Sequence, residues 1–219
     1  MTTTTLDLGR QAGVGARGWA RFLPSLGGVG LVAGLIGLML SPAADDTGNT
    51  ATEVVAFAQS NDGWITAIAL FGVASVALGG AFVAGLHARL QGIATATEST
   101  LVLIGGIAFT LCFALCWLVW MAPLVDLPGD EASALAQAEA YLAFDDVGWF
   151  ALGAAGLGAA LMAVPASRAA IRGGLPAWLG WLGVLAGLAS VATIAFFGIF
   201  AWMAWIAAAS VVLARDRSS

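Results

Sequence analysis

The sequence predicts an all-α, polytopic membrane protein: a six-transmembrane-helix bundle with both termini cytoplasmic. Three observations carry that expectation: a composition too apolar for water, a series of charge-free runs of spanning length, and a division of charge that alternates along the chain. Of the 219 residues, 60% are hydrophobic and 10% charged, and the mean hydropathy is +0.94. A water-facing domain of that make-up would expose a large apolar surface. Six helices of about 20 residues with their connections use nearly the whole length. A single membrane domain over 1–219 is therefore expected, with no separate soluble domain and no nucleic-acid partner.

The elements follow in order. A cytoplasmic tail, 1–21, carries Arg10, Arg17 and Arg21 ahead of a first charge-free run, 22–40, which is followed by Asp45 and Asp46. The run 64–86 leads into His87 and Arg89, and 101–121 leads into Asp126, Asp130 and Glu131. The run 147–164 follows Asp145 and Asp146 and ends before Arg168 and Arg172. Residues 173–214 hold no charge at all. As one helix they would measure about 63 Å, against a hydrocarbon core of about 30 Å. A hairpin of two helices, 175–196 and 199–214, with a tight outer turn at Phe197 and Gly198, fits that length. It also puts Arg172, Arg215 and Arg217 on one side.

With six crossings all eight arginines are cytoplasmic, whereas ten of the thirteen acidic residues lie outside: Asp45, Asp46, Glu53, Asp62, Asp126, Asp130, Glu131, Glu139, Asp145 and Asp146. This is the positive-inside distribution. Five crossings with one long kinked helix would place the last arginines outside. Trp64, Trp117, Trp120, Trp149, Trp202 and Trp205 are expected near the outer boundary and Trp19, Trp178 and Trp181 near the inner one, as interfacial indoles. The N-terminal segment has the order of a secretory signal, ending at Ser41-Pro42-Ala43-Ala44. Its apolar core is longer than a signal's, so it is expected to remain as the first helix. The absence of Lys, with heavy use of Ala and Gly, hints at a GC-rich bacterial genome and a bacterial plasma membrane.

The outer loops, 41–63 and 122–146, are expected to contain short helices lying on the interface. Thr50-x-x-Glu53 has capping-box spacing ahead of Val54, Val55 and Phe57, and Leu135, Ala138 and Leu142 share a helical face. Small residues at spacing four, Gly30 and Gly34, Gly183 and Gly187, and Ala154 and Gly158, let helices approach closely in lipid. They serve either packing inside one bundle or a homo-oligomer seam, and the number of glycines favours the former.

Few residues carry chemistry. Cys112 and Cys116 share a helix face and are the weak metal candidates, since two sulfurs suit Cu(I). No His or second Cys pair accompanies them, which favours small buried hydrophobes. His87, the single histidine, is expected at the inner interface. No Asp, Glu, Lys or Arg falls within any expected span, which disfavours ion-coupled pumping. Without Lys there is no Schiff-base chemistry, a single His excludes a two-histidine haem site, and no H-E-x-x-H occurs. A hydrolytic pair would have to join His87 to Ser75, about three turns away. Leu127-Pro128-Gly129-Asp130 reads as a turn before a helix. No cofactor is expected, and no enzyme.

Leu175-Pro176-Ala177-Trp178-Leu179-Gly180-Trp181-Leu182-Gly183, after a basic inner loop, resembles a stretch found in a bacterial family of small six-helix integral membrane proteins of unknown function. The polar turn from Ala58 to Asp62 and the basic exit His87-Ala88-Arg89-Leu90 are compatible with it. The resemblance supports the topology and implies no activity. Physically, Pro176 starts a helix, the indoles anchor it at the interface and the glycines let it pack.

Three roles are thus open. The chain is a structural or interaction component, self-associated or within a larger membrane complex, with membrane lipids around it. It is a small channel or facilitator, with an acidic outer mouth of Asp126, Asp130, Glu131, Asp145 and Asp146 and a path past Thr110, Ser190 and Thr193. Or it binds a lipid or quinone near Trp117, Trp120 and Phe196. A continuous polar path would favour the second, and a lateral apolar cleft the third.

Overall fold

The computed structural model describes residues 22–39, 50–191 and 197–215, and among them it is helical with no strand. Six α-helices appear in chain order: α1 (Leu23–Met39), α2 (Ala51–Leu90), α3 (Ala96–Met121), α4 (Glu131–Ala169), α5 (Ala177–Ser190) and α6 (Phe197–Arg215). A 3₁₀ turn, Ala122–Leu124, follows α3, and a π turn, Ala170–Gly174, follows α4. Four stretches are long and apolar enough to cross a membrane: Ala51–Leu90, Ala96–Leu124, Glu131–Gly173 and Gly198–Arg215. Leu23–Gly37 and Ala177–Ser190 are shorter apolar helices. This is the make-up of a helical membrane protein. The tail with Arg10, Arg17, Trp19 and Arg21, together with Asp45, Asp46, Thr193, Phe196 and Arg217, lies outside the described residues.

Two helices are much longer than the apolar runs that announce them. α2 begins at Ala51, where the expected capping box forms: Glu53 N donates to Thr50 Oγ1 at 3.3 Å and Thr50 N donates to Glu53 Oε2 at 3.1 Å. The short helix expected ahead of the spanning run forms from Ala51 and is joined to that run across a kink. The chain bends at Asn61 (φ −124°, ψ 17°) and continues. Asn61 Nδ2 donates to the Phe57 carbonyl at 2.9 Å and Ser60 Oγ to that of Ala56 at 2.9 Å, so side chains satisfy carbonyls that the bend releases. α4 likewise runs unbroken through Asp145 and Asp146, because neither Gly nor Pro interrupts the chain between Glu131 and Val147. At 1.5 Å per residue, the 39 residues of α4 measure about 59 Å, well beyond a ~30 Å hydrocarbon core.

The break near the C-terminus also differs from expectation. Phe197 and Gly198 are helical and open α6, and α5 stops at Ser190. Residues 192–196, between the two helices, lie outside the described residues.

Consecutive helices pack side by side, and α1 also packs on α6. Four contacts establish the alternation of direction. A Cβ on Gly85, late in α2, would strike Pro24 at the start of α1. Glu98, early in α3, pairs with Arg172 after α4. A Cβ on Gly180, early in α5, would meet Ile171 and the Ser167 carbonyl. Phe22 before α1 and Ala214 late in α6 line one groove. Arg89, Arg168, Arg172 and Arg215 consequently gather at one end of the bundle.

Toward the opposite end the core continues through Val54, Phe57, Ala58, Leu124, Ala138 and Tyr141, all buried. Gln137 Nε2 donates to the Pro123 carbonyl at 2.9 Å and pins the α3–α4 connection to α4. The main core is aromatic. Phe109 stacks on Phe113 at 5.9 Å and meets Trp202 edge-on at 5.0 Å, and Phe113 meets Trp117 edge-on at 6.4 Å. Leu70, Val73, Leu111, Leu118, Phe150, Leu185 and Leu188 point outward, as lipid-facing residues do.

Candidate functional site

The polar chemistry among the described residues concentrates at the arginine-bearing end, where α2 stops, α3 starts and α4 stops. Sequence reasoning missed its central residue, Glu98. The chain folds there because Thr95-x-x-Glu98 is a second capping box. Glu98 N donates to Thr95 Oγ1 at 3.2 Å, and Thr95 N donates to Glu98 Oε2 at 3.0 Å. That spacing, identical to Thr50-x-x-Glu53, was the available signal. The box turns the carboxylate inward, leaving its side chain 9% exposed. Arg172 closes on it as a fork: Nη1 donates to Oε1 at 2.9 Å and Nη2 donates to Oε2 in close contact. Arg168 Nε stands 3.6 Å from Oε1. An acid in the first turn of a helix also complements the helix dipole.

His87 lies beside this pair. Its Nδ1 is 3.2 Å from the Ser99 carbonyl and 3.3 Å from Ser99 Oγ, and its Nε2 is 3.4 Å from Gln91 Nε2. A bond to the carbonyl needs a proton on Nδ1, whereas accepting the Ser99 hydroxyl proton needs that nitrogen bare. Among the described residues the ring's hydrogen-bond partners are Ser99 and Gln91, and the contact with Ser99 ties α2 to α3.

The other residues singled out in the sequence do not converge on this end. Cys116 is buried and Cys112 half-buried, both as free thiols, and no group of three metal-ligating side chains occurs among the described residues. Asp130 caps α4, its Oδ1 accepting from Ser133 N at 2.9 Å, and that N–H holds its carboxyl below the usual range. Glu131 is exposed beside it, and Asp126 adopts a left-handed φ of 58° in the preceding loop. Asp145 and Asp146 lie about 21 Å further along α4, so the five acids do not form one ring.

The spaced glycines all face neighbours within the chain: Gly30 faces Leu78, Gly34 faces Ser75, Gly183 faces Ser167 and Trp205, and Gly187 faces Val164. They are packing seats inside the bundle. The tightest seat joins α3 to α4, where a Cβ on Gly158 would lie 2.5 Å from Phe109 N and one on Gly105 2.5 Å from Met162 N.

Tryptophan positions divide in an unexpected way. Trp64, Trp149, Trp178 and Trp181 are exposed, as a belt requires, but Trp117, Trp202 and Trp205 are core residues. The indole N–H groups of Trp117, Trp120, Trp202 and Trp205 are buried without a hydrogen-bond partner. Thr110 Oγ1 donates to Gly106 O, Ser75 Oγ to Phe71 O, Ser190 Oγ to Ala186 O and Ser210 Oγ to Ile206 O, all at 2.7–2.8 Å. Each of these hydroxyls donates its proton back to a carbonyl of its own helix.

No family model, curated protein or solved structure matches this chain.

Proposed function

We propose that the chain is a six-crossing, non-catalytic bundle of a bacterial plasma membrane, with both termini cytoplasmic. In this reading it acts as a structural or interaction component of an assembly, with copies of itself or in a larger complex. The observation that carries it is the filled interior. Aromatic rings and glycine seats close the helix contacts, and the buried hydroxyls of Ser75, Ser190 and Ser210 are spent on their own helices. A facilitator needs a polar file through the bundle, and a hydrolase needs an oriented base.

The alternation of helix direction and the gathering of arginines at one end support six crossings with that end inside. The shorter helices α1 and α5 are the two whose crossing rests most on this charge pattern. Exposed Trp178 and Trp181 beside inward Gly180 and Gly183 fit the reading of the L-P-x-W-L-G-W-L-G stretch as an interfacial anchor of the resembled family.

The test is the mass of the protein extracted from its own membrane without denaturation. A defined mass above the monomer, with a fixed companion or copy number, is expected. A bare monomer under conditions that keep it folded overturns the assembly reading, and liposome flux assays then decide between transport and its absence.

A further inference from the structure

The end of α4 is wound differently from the rest of that helix. Ala170–Gly174 forms a π turn, and within it Gly173 takes a φ of 112° before Leu175 runs extended. Such turns are rare and occur mostly as single inserts, often at functional sites. The Gly173-Gly174 pair has no side chains to resist rewinding. The turn carries two contacts in different directions. Arg172 forks Glu98 of α3. Its neighbour Ile171 lies under α5, where a Cβ on Gly180 would come 2.7 Å from Ile171 Cγ1 and 2.9 Å from the Ser167 carbonyl.

Glu98 also has a second cation within reach. Arg168 Nε is 3.6 Å from Oε1, just too far for a hydrogen bond, and the Arg168 side chain is 68% exposed against 41% for Arg172. The carboxylate cannot follow either arginine, because Thr95 N and Thr95 Oγ1 hold Oε2 at 3.0 and 3.1 Å. Arg168 stands in the last α-wound turn of α4. Of the three charges, only Arg172 rides on a turn that can rewind. A buried carboxylate stripped of its cation is strongly unfavourable, and Arg168 removes that obstacle to release.

We infer that Glu98, Arg172 and Arg168 form a two-position catch that docks α5. With Arg172 engaged, the π turn is held wound and Ile171 seats Gly180. With Arg172 released, the turn rewinds, Arg168 closes the remaining distance to the carboxylate, and the first turn of α5 lifts from α4. That turn bears the exposed Trp178 and, on the turn after it, Trp181. The catch therefore couples the indole-bearing face of α5 to the start of α3, two elements joined through the end of α4.

Leu179, in the first turn of α5 and 1% exposed, is the reporter. Leu179→Cys is placed in the full-length protein with Cys112→Ala and Cys116→Ala, and its rate of reaction with a water-soluble thiol reagent is followed in detergent. The rate tracks the population in which α5 is lifted. Arg172→Gln should raise it at least about tenfold, the worth of charged hydrogen bonds, while the thermal unfolding midpoint stays close to that of the parent. Arg168→Gln alone should leave the rate unchanged. Together, Arg168→Gln and Arg172→Gln should lower the midpoint by more than the sum of the single losses, because Glu98 is then buried without a cation. Arg172→Lys keeps the charge without the fork and should raise the rate by about threefold, which guards against a folding defect in the glutamine variant. An unchanged rate in both Arg172 variants overturns the catch, and additive midpoint losses overturn the part given to Arg168.

Discussion

Arg172 grips Glu98 through both guanidinium nitrogens across 74 positions of sequence, and so fastens the end of α4 to the start of α3. The same carboxylate also closes the Thr95 capping box, which makes it the shared member of a local and a long-range interaction.

Thr95→Ala should therefore cost about 1 kcal/mol, the ordinary worth of an N-cap. Glu98→Ala should cost more, because it also strands Arg172. Thermal unfolding in detergent of the single and double variants of Glu98 and Arg172 would show the coupling. Strictly additive losses would mean that the fork contributes nothing.

The crossing of α3 and α4 makes a sharp prediction about glycine. Gly105→Ala and Gly158→Ala push a methyl into backbone and should each destabilise by about 1–3 kcal/mol, the cost of overpacking. Gly80→Ala meets nothing within 4 Å and should be neutral or stabilising by up to about 1 kcal/mol. Denaturation in mixed micelles gives the comparison, and equal losses at all three sites would contradict the packing.

Gly34→Leu and Gly183→Leu should lower the yield of folded protein, because those positions face Ser75 and Trp205 of the same chain. If they instead gave a well-folded monomer from a larger species, these faces would be intermolecular seams. Size-exclusion chromatography with multi-angle scattering separates the outcomes.

Asp130 supplies a pH dependence. Its carboxyl is held below the usual range by Ser133 N–H, so its folded pKa is lower than the unfolded value of about 3.9. The stabilisation is present above that unfolded value and disappears as pH falls through the folded one. Hydrogen exchange at the first turn of α4 should be slower in the native chain than in Asp130→Ala at pH 7. The two should converge once the pH has fallen through the folded value. A difference that persists unchanged in acid would remove the carboxylate from the cap.

Crossing number is tested by chemistry at the membrane faces. In a background of Cys112→Ala and Cys116→Ala, Ala195→Cys should react with an impermeant maleimide from outside and Ser219→Cys only after permeabilisation. The reverse pattern would invert the orientation, and labelling of both from one side would rule out six crossings.

The order of the helices was legible because charge-free runs separated by acids or arginines cannot be arranged otherwise in lipid. The capping box at Thr50 was legible because its signal is local. Helix length was not: Asp145 and Asp146 end an apolar run without ending a helix, and Asn61 bends one while repairing its own bonds. Which tryptophans face inward was hidden for another reason. In a helix such as α6, apolar on nearly every side, no polar face marks the outside, so Trp202 and Trp205 look like belt residues until their neighbours are known. Glu98 escaped because its partner Arg172 belongs to a distant helix and only the fold brings them together.

Contact between α1 and α6 has a consequence in time. The ribosome makes α1 well before α6, so the seat that Gly28 offers to Ser210 stands empty until α6 has been synthesised. Until then the side of α1 that α6 covers is open. A nascent chain stalled after Ser190 would carry an open seam beside Phe82, the kind of lesion that membrane quality control can recognise, and completion of α6 is the event that removes it.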